Sequence, residues 1–210
     1  LIHGGNEWAE PWKFYRRELE CSGYGSRMAE VEYVRWDSAI HPVQEITRLV
    51  HSAYKRLGDM GLNFTAVDQD DDMTRYRLSE GSSFLAIQEG KIVGTITLVR
   101  PGQEDIHPWL ARDDVAHFTQ FAVEPELQGS GIGRELLRMA EDEAARIGAE
   151  HIALDTAVPA AHLVEMYAKW GYVEVGLCQW PGKRYQSVVM SKELPGNRFS
   201  QTDGASTTPS

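Results

Sequence analysis

Seven residues carry the strongest chemical signal of this chain: Gln128-Gly129-Ser130-Gly131-Ile132-Gly133-Arg134. They follow a strand-like run, Phe118 to Val123, and open a long amphipathic stretch. Strand, tight glycine turn, helix is an order that leaves unpaired backbone N–H groups at a helix N-terminus, where the dipole favours an anion. The expected ligand is a phosphate or pyrophosphate. Glycine suits the turn because a Cβ would obstruct close approach of the phosphates. Ser130 offers a hydroxyl. Arg134 either neutralises a phosphate or sits on a solvated helix face.

Two familiar phosphate sites do not match. A dinucleotide fold needs its glycine fingerprint after the first strand, with an acidic residue about 20 positions on. This turn instead follows four predicted strands, past mid-chain. A P-loop needs Gly-Lys-Ser/Thr, and the chain has Gly133-Arg134-Glu135.

The elements that must position the turn can be read from periodicity. A strand is predicted over 28–36 and a helix after Pro42, with Val43, Ile46, Leu49, Val50, Ala53, Tyr54 and Leu57 at helical spacing. The run Asp68, Asp70, Asp71, Asp72 starts a second helix through Leu78, ended by Gly81. Strands over 83–88 and 91–100 flank the hairpin signal Glu89-Gly90. A long polar loop, 101–114, leads to a strand over 115–123. After the glycine turn come a helix over 130–147, a strand over 151–155, a helix over 160–169, and strands over 172–179 and 184–191. The sum is an α/β domain whose mixed sheet has an antiparallel front half. Residues 1–27 read as an N-terminal extension, with a short docking helix over 10–20, and residues 195–210 as a disordered tail.

The chain has 210 residues, 42% hydrophobic and 25% charged, and a net charge of −10. That charge disfavours nucleic acid as a partner and favours cationic molecules. No apolar run approaches the roughly 18 residues needed to span a bilayer, so no membrane partner is expected. Leu1 in place of Met predicts a trimmed or processed N-terminus. Cys21 and Cys178 lie far apart. They predict free thiols in a reducing cytoplasm and no metal site.

Gln128-x-x-Gly131-x-Gly133 resembles the acyl-CoA signature of the GNAT acetyltransferase superfamily. Three neighbouring phrases resemble that family as well: Val123-Glu124-Pro125 before the turn, Tyr167-Ala168-Lys169-Trp170-Gly171-Tyr172 at a helix end, and Met190-Ser191-Lys192-Glu193-Leu194 in the closing strand. The resemblance covers residues 28–194. It implies the GNAT fold: a mixed, mostly antiparallel sheet, splayed at the cofactor site and flanked by helices. It implies acetyl-CoA as cofactor, with main-chain groups of Phe121, Ala122 and Val123 on the pantetheine arm. The diphosphate would lie on Gln128, Gly129, Ser130, Gly131, Ile132, Gly133 and Arg134, with Tyr167 near the sulfur. One departure is Ala160, where many relatives carry an Asn that contacts the cofactor.

The implied reaction is attack of an amine on a thioester. Most alkyl amines are protonated at neutral pH, so a base is needed, together with an acid for the departing thiolate and an N–H donor for the developing oxyanion. The resemblance gives the N–H to Val123 and the acid to Tyr167, whose phenol has a reference pKa near 10. Tyr167 otherwise reads as a packed core tyrosine beside Leu163, Met166 and Trp170. The base is open between His117, with a reference pKa near 6.5, and Asp155. His117 and Thr119 alternate with Phe121 on the strand lining the centre. Glu124 is expected to point away, and His151 and His162 to be peripheral.

For the acceptor, Tyr54, Phe64, Trp109, Gln120, Asp155 and Trp180 are the expected substrate residues. Acids accompany them on the same segments: Asp59, Asp68, Asp70, Asp71, Asp72, Glu104, Asp105, Asp113 and Asp114. Acidic and aromatic walls suit a cationic amine. An aminoglycoside or polyamine-like small molecule is therefore expected, and with it an antibiotic-resistance role. A protein or peptide amine is the alternative, as is an acyl-CoA sensor without turnover. Monomer and homodimer are both open.

Overall fold

A computed structural model describes residues 15–16, 30–103 and 106–195. Among these residues the sheet has eight strands in the order β1-β2-β3-β4-β5-β6-β8-β7. They are β1 (Tyr15–Arg16), β2 (Val31–Arg35), β3 (Gly81–Gln88), β4 (Lys91–Val99), β5 (Val115–Val123), β6 (His151–Ala157), β7 (Val173–Cys178) and β8 (Ser187–Glu193). Every neighbouring pair is antiparallel except β5 and β6, which run parallel. The helices are α1 (Val43–Asp59), α2 (Thr65–Asp68), α3 (Asp71–Ser79), α4 (Ile132–Arg146) and α5 (Ala161–Lys169). This is the mixed, mostly antiparallel architecture expected from the sequence.

Alternation along β3 separates the two faces. Phe84 and Ala86 join the core beneath α4, and Leu85 joins Val43, Ile46 and Leu78 beneath α1 and α3. Gly94 on β4 lets α4 come close, since a Cβ there would stand 2.8 Å from Leu136 Cδ1 and 3.2 Å from Ile132 Cγ2. Buried Glu143 on α4 ties the helix to the sheet through Arg35 of β2 and Ser82 of β3, and pairs with Arg146 of its own helix. Burial alone would raise its carboxyl pKa, but Arg146, Ser82 and Arg35 hold it at about 2.

Several sequence expectations change. Asp70 is the N-cap of α3, its Oδ1 accepting from the Met73 N–H at 2.7 Å, whereas Asp68 ends the short α2. Gly81 starts β3 instead of merely ending a helix: a Cβ there would lie 1.9 Å from the Leu98 carbonyl oxygen of β4. Within the helix expected over 10–20, Tyr15 and Arg16 are extended and pair with β2. The remainder of that segment, Met28, Cys21, Glu104, Asp105 and residues 196–210 lie outside the described residues. Among the described residues no helix is long and apolar enough to cross a membrane.

Two irregularities in β5 open the sheet. Its pairing with β6 runs only from Val115↔His151 to His117↔Ala153, so the strands separate beyond that point. Its register with β4 shifts between Thr95↔Ala122 and Thr97↔Thr119, where Gln120 and Phe121 oppose Ile96 alone. Gln120 has φ +50, a left-handed backbone that side chains other than glycine rarely adopt. The bulge flips side-chain parity. Ala116 and Phe118 face the α4 core before it; Val123 faces that core after it, and Phe121 packs against it. The alternation expected of His117, Thr119 and Phe121 is thus broken.

Candidate acetyl-transfer site

Two cavities meet at the splay of β5 and β6. The first, about 500 Å³, lies against the glycine turn. Phe121, Ala122, Val123, Gln128, Gly129, Gly131, Gly133, Arg134 and Tyr167 line it, joined by Leu57, Leu163, Met166 and Trp170. The turn is built by Gly129 at φ +85 and Gly131 at φ +96, the latter capping α4. A Cβ on either would meet nothing within 4 Å, so both project into open space. Left-handed backbone is the first reason for glycine here. Gly133 has a different one: its Cβ would press on Phe121 Cζ at 3.2 Å, where α4 meets β5.

Three of the expected cofactor residues have their side chains engaged within the protein. The Ser130 hydroxyl donates to the Leu127 carbonyl at 2.6 Å, satisfied within the turn, and Ser130 does not line the cavity. Ile132 sends its side chain into the core, leaving its main chain at the α4 N-terminus. Arg134 reaches over Trp170, 5.6 Å from the ring centroid, and stands 3.7 Å from Glu141. The Gln128 amide donates to the Val123 carbonyl at 3.2 Å, bracing the turn against the end of β5.

The second cavity, about 450 Å³, opens on the other side of Phe121 and Tyr167. Tyr54, Phe64, His117, Gln120, Asp155 and Trp180 come together in its lining as expected. Tyr54 stands edge-on to Phe64 at 5.6 Å, and Phe64 stacks at a tilt on Tyr185 at 4.9 Å. The Tyr54 hydroxyl donates to the Phe121 carbonyl at 3.2 Å. The Trp180 indole N–H donates to Asp155 Oδ2 at 2.9 Å, fixing that carboxylate at the end of β6. Ala53 and Tyr54, apolar positions on α1, pack on the core with one side and line cavities with the other, and so are only half-buried.

Two of the expected substrate residues are engaged by other groups. Trp109 does not line the cavity, although it packs in a cluster with Leu110 and Trp180, which do: it stands edge-on to His151 at 5.4 Å, with the Arg112 guanidinium 4.3 Å from its ring centroid. Gln120 lines the cavity, but its carboxamide is taken up by neighbours. Its Oε1 accepts from Gln69 Nε2 at 2.7 Å, and its Nε2 faces the Thr74 carbonyl at 3.5 Å.

The acidic wall also dissolves. Asp59, Asp68, Asp70, Asp71, Asp72, Asp113 and Asp114 do not line the cavity. Asp59 pairs with Lys55, and Asp114 with Arg112. The lining instead holds two cations that sequence reasoning missed, Arg77 and Lys183, together with Asp155 and Glu80. Arg77 Nη1 donates to Gln69 Oε1 at 2.9 Å, and that carboxamide is held in turn by Gln120 and Thr74. Among the described residues no carboxylate lies within ion-pair distance of Arg77. Burial pulls its pKa down, against the opposing influence of Tyr54, Glu80 and Asp155. Helix phase could have found it: Arg77 lies between the buried positions Thr74 and Leu78 on the inward side of α3.

The proton-handling groups are sharply tuned. Burial, then Arg77, pushes the His117 pKa down to about 4, so the imidazole is neutral at pH 7. Its Nδ1 is buried and has no hydrogen-bond partner among the described residues, as is true of Thr119 Oγ1 and Thr156 Oγ1 in the same lining. Burial raises the Tyr167 phenol well above its usual range, with Tyr54 and Asp155 adding to it. Tyr167 therefore keeps its proton at neutral pH and can serve as a donor.

His117 also carries a stability prediction. Its folded pKa lies below the unfolded value of about 6.5. Stability is therefore full above pH 6.5, falls as pH drops toward 4 and levels off below. The loss is on the order of 3 kcal/mol. Urea unfolding at pH 7 and pH 4.5 is expected to show that His117→Leu removes about 2–3 kcal/mol of the difference between the two. An unaltered difference would contradict the buried, neutral imidazole.

The comparisons with known proteins come to the same fold. The model of the acetyltransferase (GNAT) family matches residues 45–172. An S-(2-succino)cysteine N-acetyltransferase of Bacillus subtilis is 31% identical over 153 residues, 72% of this chain and 90% of that protein. An S-alkylcysteine N-acetyltransferase of the same organism is 26% identical over 168 residues, 79% of this chain and 91% of its own. A GNAT acetyltransferase of Elizabethkingia anophelis, solved with acetyl-CoA bound, superposes with a TM-score of 0.55 at 15% identity, covering 78% of this chain and 98% of that one. The glycine turn at a helix N-terminus, beside an apolar cavity between diverging strands, fits that cofactor's diphosphate and pantetheine parts. The chain belongs to the GNAT acetyltransferase family and is an acetyl-CoA-dependent acetyltransferase.

Proposed function

We propose that the protein acetylates the amine of a small amino acid whose carboxylate is held by Arg77, with S-substituted cysteines as the favoured class. The observation that carries this reading is Arg77 itself: a cation in the acceptor cavity, braced by Gln69, with no carboxylate in ion-pair distance among the described residues. A half-buried guanidinium of that kind suits a planar anion, which it can grip through two N–H groups. Asp155, held by Trp180 in the same lining, receives the ammonium end. Tyr54, Phe64 and Tyr185 offer an apolar wall for a thioether substituent. Both curated relatives named above act, by name, on cysteine derivatives.

A polyamine or aminoglycoside would bring cations against Arg77 and Lys183, and the acids expected to attract it lie elsewhere. An acyl-CoA sensor would have no use for Asp155 and Arg77 in the lining of an acceptor cavity. Acetyl-CoA supplies the acyl group as a reactive thioester. Asp155 takes the proton that the ammonium must lose, and His117, neutral and low in pKa, is the weaker candidate for that part. The Tyr167 hydroxyl donates a proton to the departing sulfur, and the Val123 N–H is available to the oxyanion.

The test is free-thiol release from acetyl-CoA with S-ethylcysteine, spermidine, an aminoglycoside and a lysine peptide. Turnover is expected with S-ethylcysteine and not with the polycations; the reverse order would overturn the reading. Tyr167→Phe is expected to lower kcat by about 100-fold while leaving acetyl-CoA affinity within about twofold, as read by stopped-flow turnover and calorimetry. An unchanged kcat would remove Tyr167 from the donor role.

A further inference from the structure

Lys183 is a second cation in the acceptor cavity, on a different element from Arg77. It lies on the hairpin between β7 and β8, whereas Arg77 projects from α3. The Lys183 ammonium donates to the Asn63 carbonyl at 2.8 Å and to Thr65 Oγ1 at 3.0 Å. Both acceptors are neutral oxygens, and they use two of its three N–H groups. Among the described residues no carboxylate stands within ion-pair distance of it. Burial and the Arg77 charge both disfavour its cationic form, partly offset by Asp68 and Asp155.

Its placement is braced. Asn63, on the loop after α1, donates from Nδ2 to the Gly182 carbonyl at 2.9 Å and accepts at Oδ1 from the Arg184 N–H at 3.0 Å. Gln179 donates to the Lys183 and Tyr185 carbonyls at 3.0 and 3.2 Å. The hairpin tip is thus strapped to the loop opposite, and a long flexible side chain is held at the cavity wall by its own head group. A lysine used only as a strap would be equally satisfied facing solvent. This one stands beside a second cation in a partly desolvated cavity, an arrangement that costs free energy until anions arrive.

The geometry points to an acceptor with two carboxylates, one on Arg77 and the other, carried by the S-substituent, on the remaining N–H of Lys183. The inference rests on the amino-acid reading above and narrows it to acidic thioether amino acids. Two carboxylates answer Arg77 and Lys183, and Asp155 answers the ammonium; Glu80, also in the lining, takes no part in this pairing. No chemistry beyond acetyl transfer is required.

The test compares S-carboxymethylcysteine with the isosteric S-carbamoylmethylcysteine, at saturating acetyl-CoA, in wild-type enzyme, Lys183→Met and Lys183→Arg. Wild type is expected to prefer the acid by about tenfold or more in kcat/KM, mainly through KM, as for a charge-assisted hydrogen bond lost to a neutral isostere. Lys183→Met is expected to bring the ratio near one, and Lys183→Arg to keep most of it. A wild-type ratio near one overturns the inference without any variant. So does a Lys183→Met enzyme that retains the preference. In both cases turnover of the amide leaves the amino-acid reading standing. Turnover of neither compound by wild type takes down both.

Discussion

Gly131→Trp is expected to abolish acetyl-CoA binding, weakening it by at least about 100-fold by calorimetry, and to remove any rise in melting temperature on adding the cofactor. Two effects coincide at this position. Gly131 caps α4 at φ +96, a conformation that costs a side-chain-bearing residue about 1–2 kcal/mol. Its missing Cβ faces open space beside the α4 N-terminus, so an indole there would occupy the volume a diphosphate needs. Gly131→Asn separates the effects, because Asn tolerates left-handed backbone and is far smaller. It is expected to fold with nearly unchanged stability and to lose much less affinity than the Trp variant. Unchanged affinity in Gly131→Trp would show that the diphosphate lies elsewhere.

Arg77→Met is expected to cut kcat/KM for S-ethylcysteine by about 30- to 1000-fold, most of it in KM. A bidentate, charge-assisted grip on a partly desolvated carboxylate is worth about 2–4 kcal/mol. Arg77→Lys should recover only part of the loss, since an ammonium cannot make the planar two-point contact and does not fit the brace from Gln69 Oε1. With S-ethylcysteine amide, which lacks the carboxylate, the Met substitution should cost less than about threefold. Equal losses with acid and amide would make Arg77 a structural cation and not a carboxylate receptor.

The glycine turn was legible because its meaning is local. A strand, a turn and a helix in immediate succession set both the backbone conformation and the N–H groups, and a few residues specify all three. The element order followed from apolar period for the same reason. The acceptor cavity was much less legible, for identifiable causes. Gln120 adopts φ +50 in a bulge, and a glutamine among β-formers gives no sign of that, so side-chain parity beyond it could not be read. Asp70, Asp71 and Asp72 suit a helix start and a cationic ligand equally well in sequence; the fold uses Asp70 as a cap. Arg77 and Lys183 come from segments about a hundred positions apart, and only the sheet brings them to one cavity. Trp109 had the right residue type in a long loop, but its ring is spent against His151 and Arg112.

Recognition of the acceptor by a carboxylate on Arg77, with the amine toward Asp155, is open to one decisive experiment: a crystal structure of the protein with coenzyme A and S-ethylcysteine. The carboxylate is expected within ion-pair distance of the Arg77 guanidinium and the nitrogen between Asp155 and Tyr167. A carboxylate turned away from Arg77, with the nitrogen remote from Asp155, would overturn this mode of recognition.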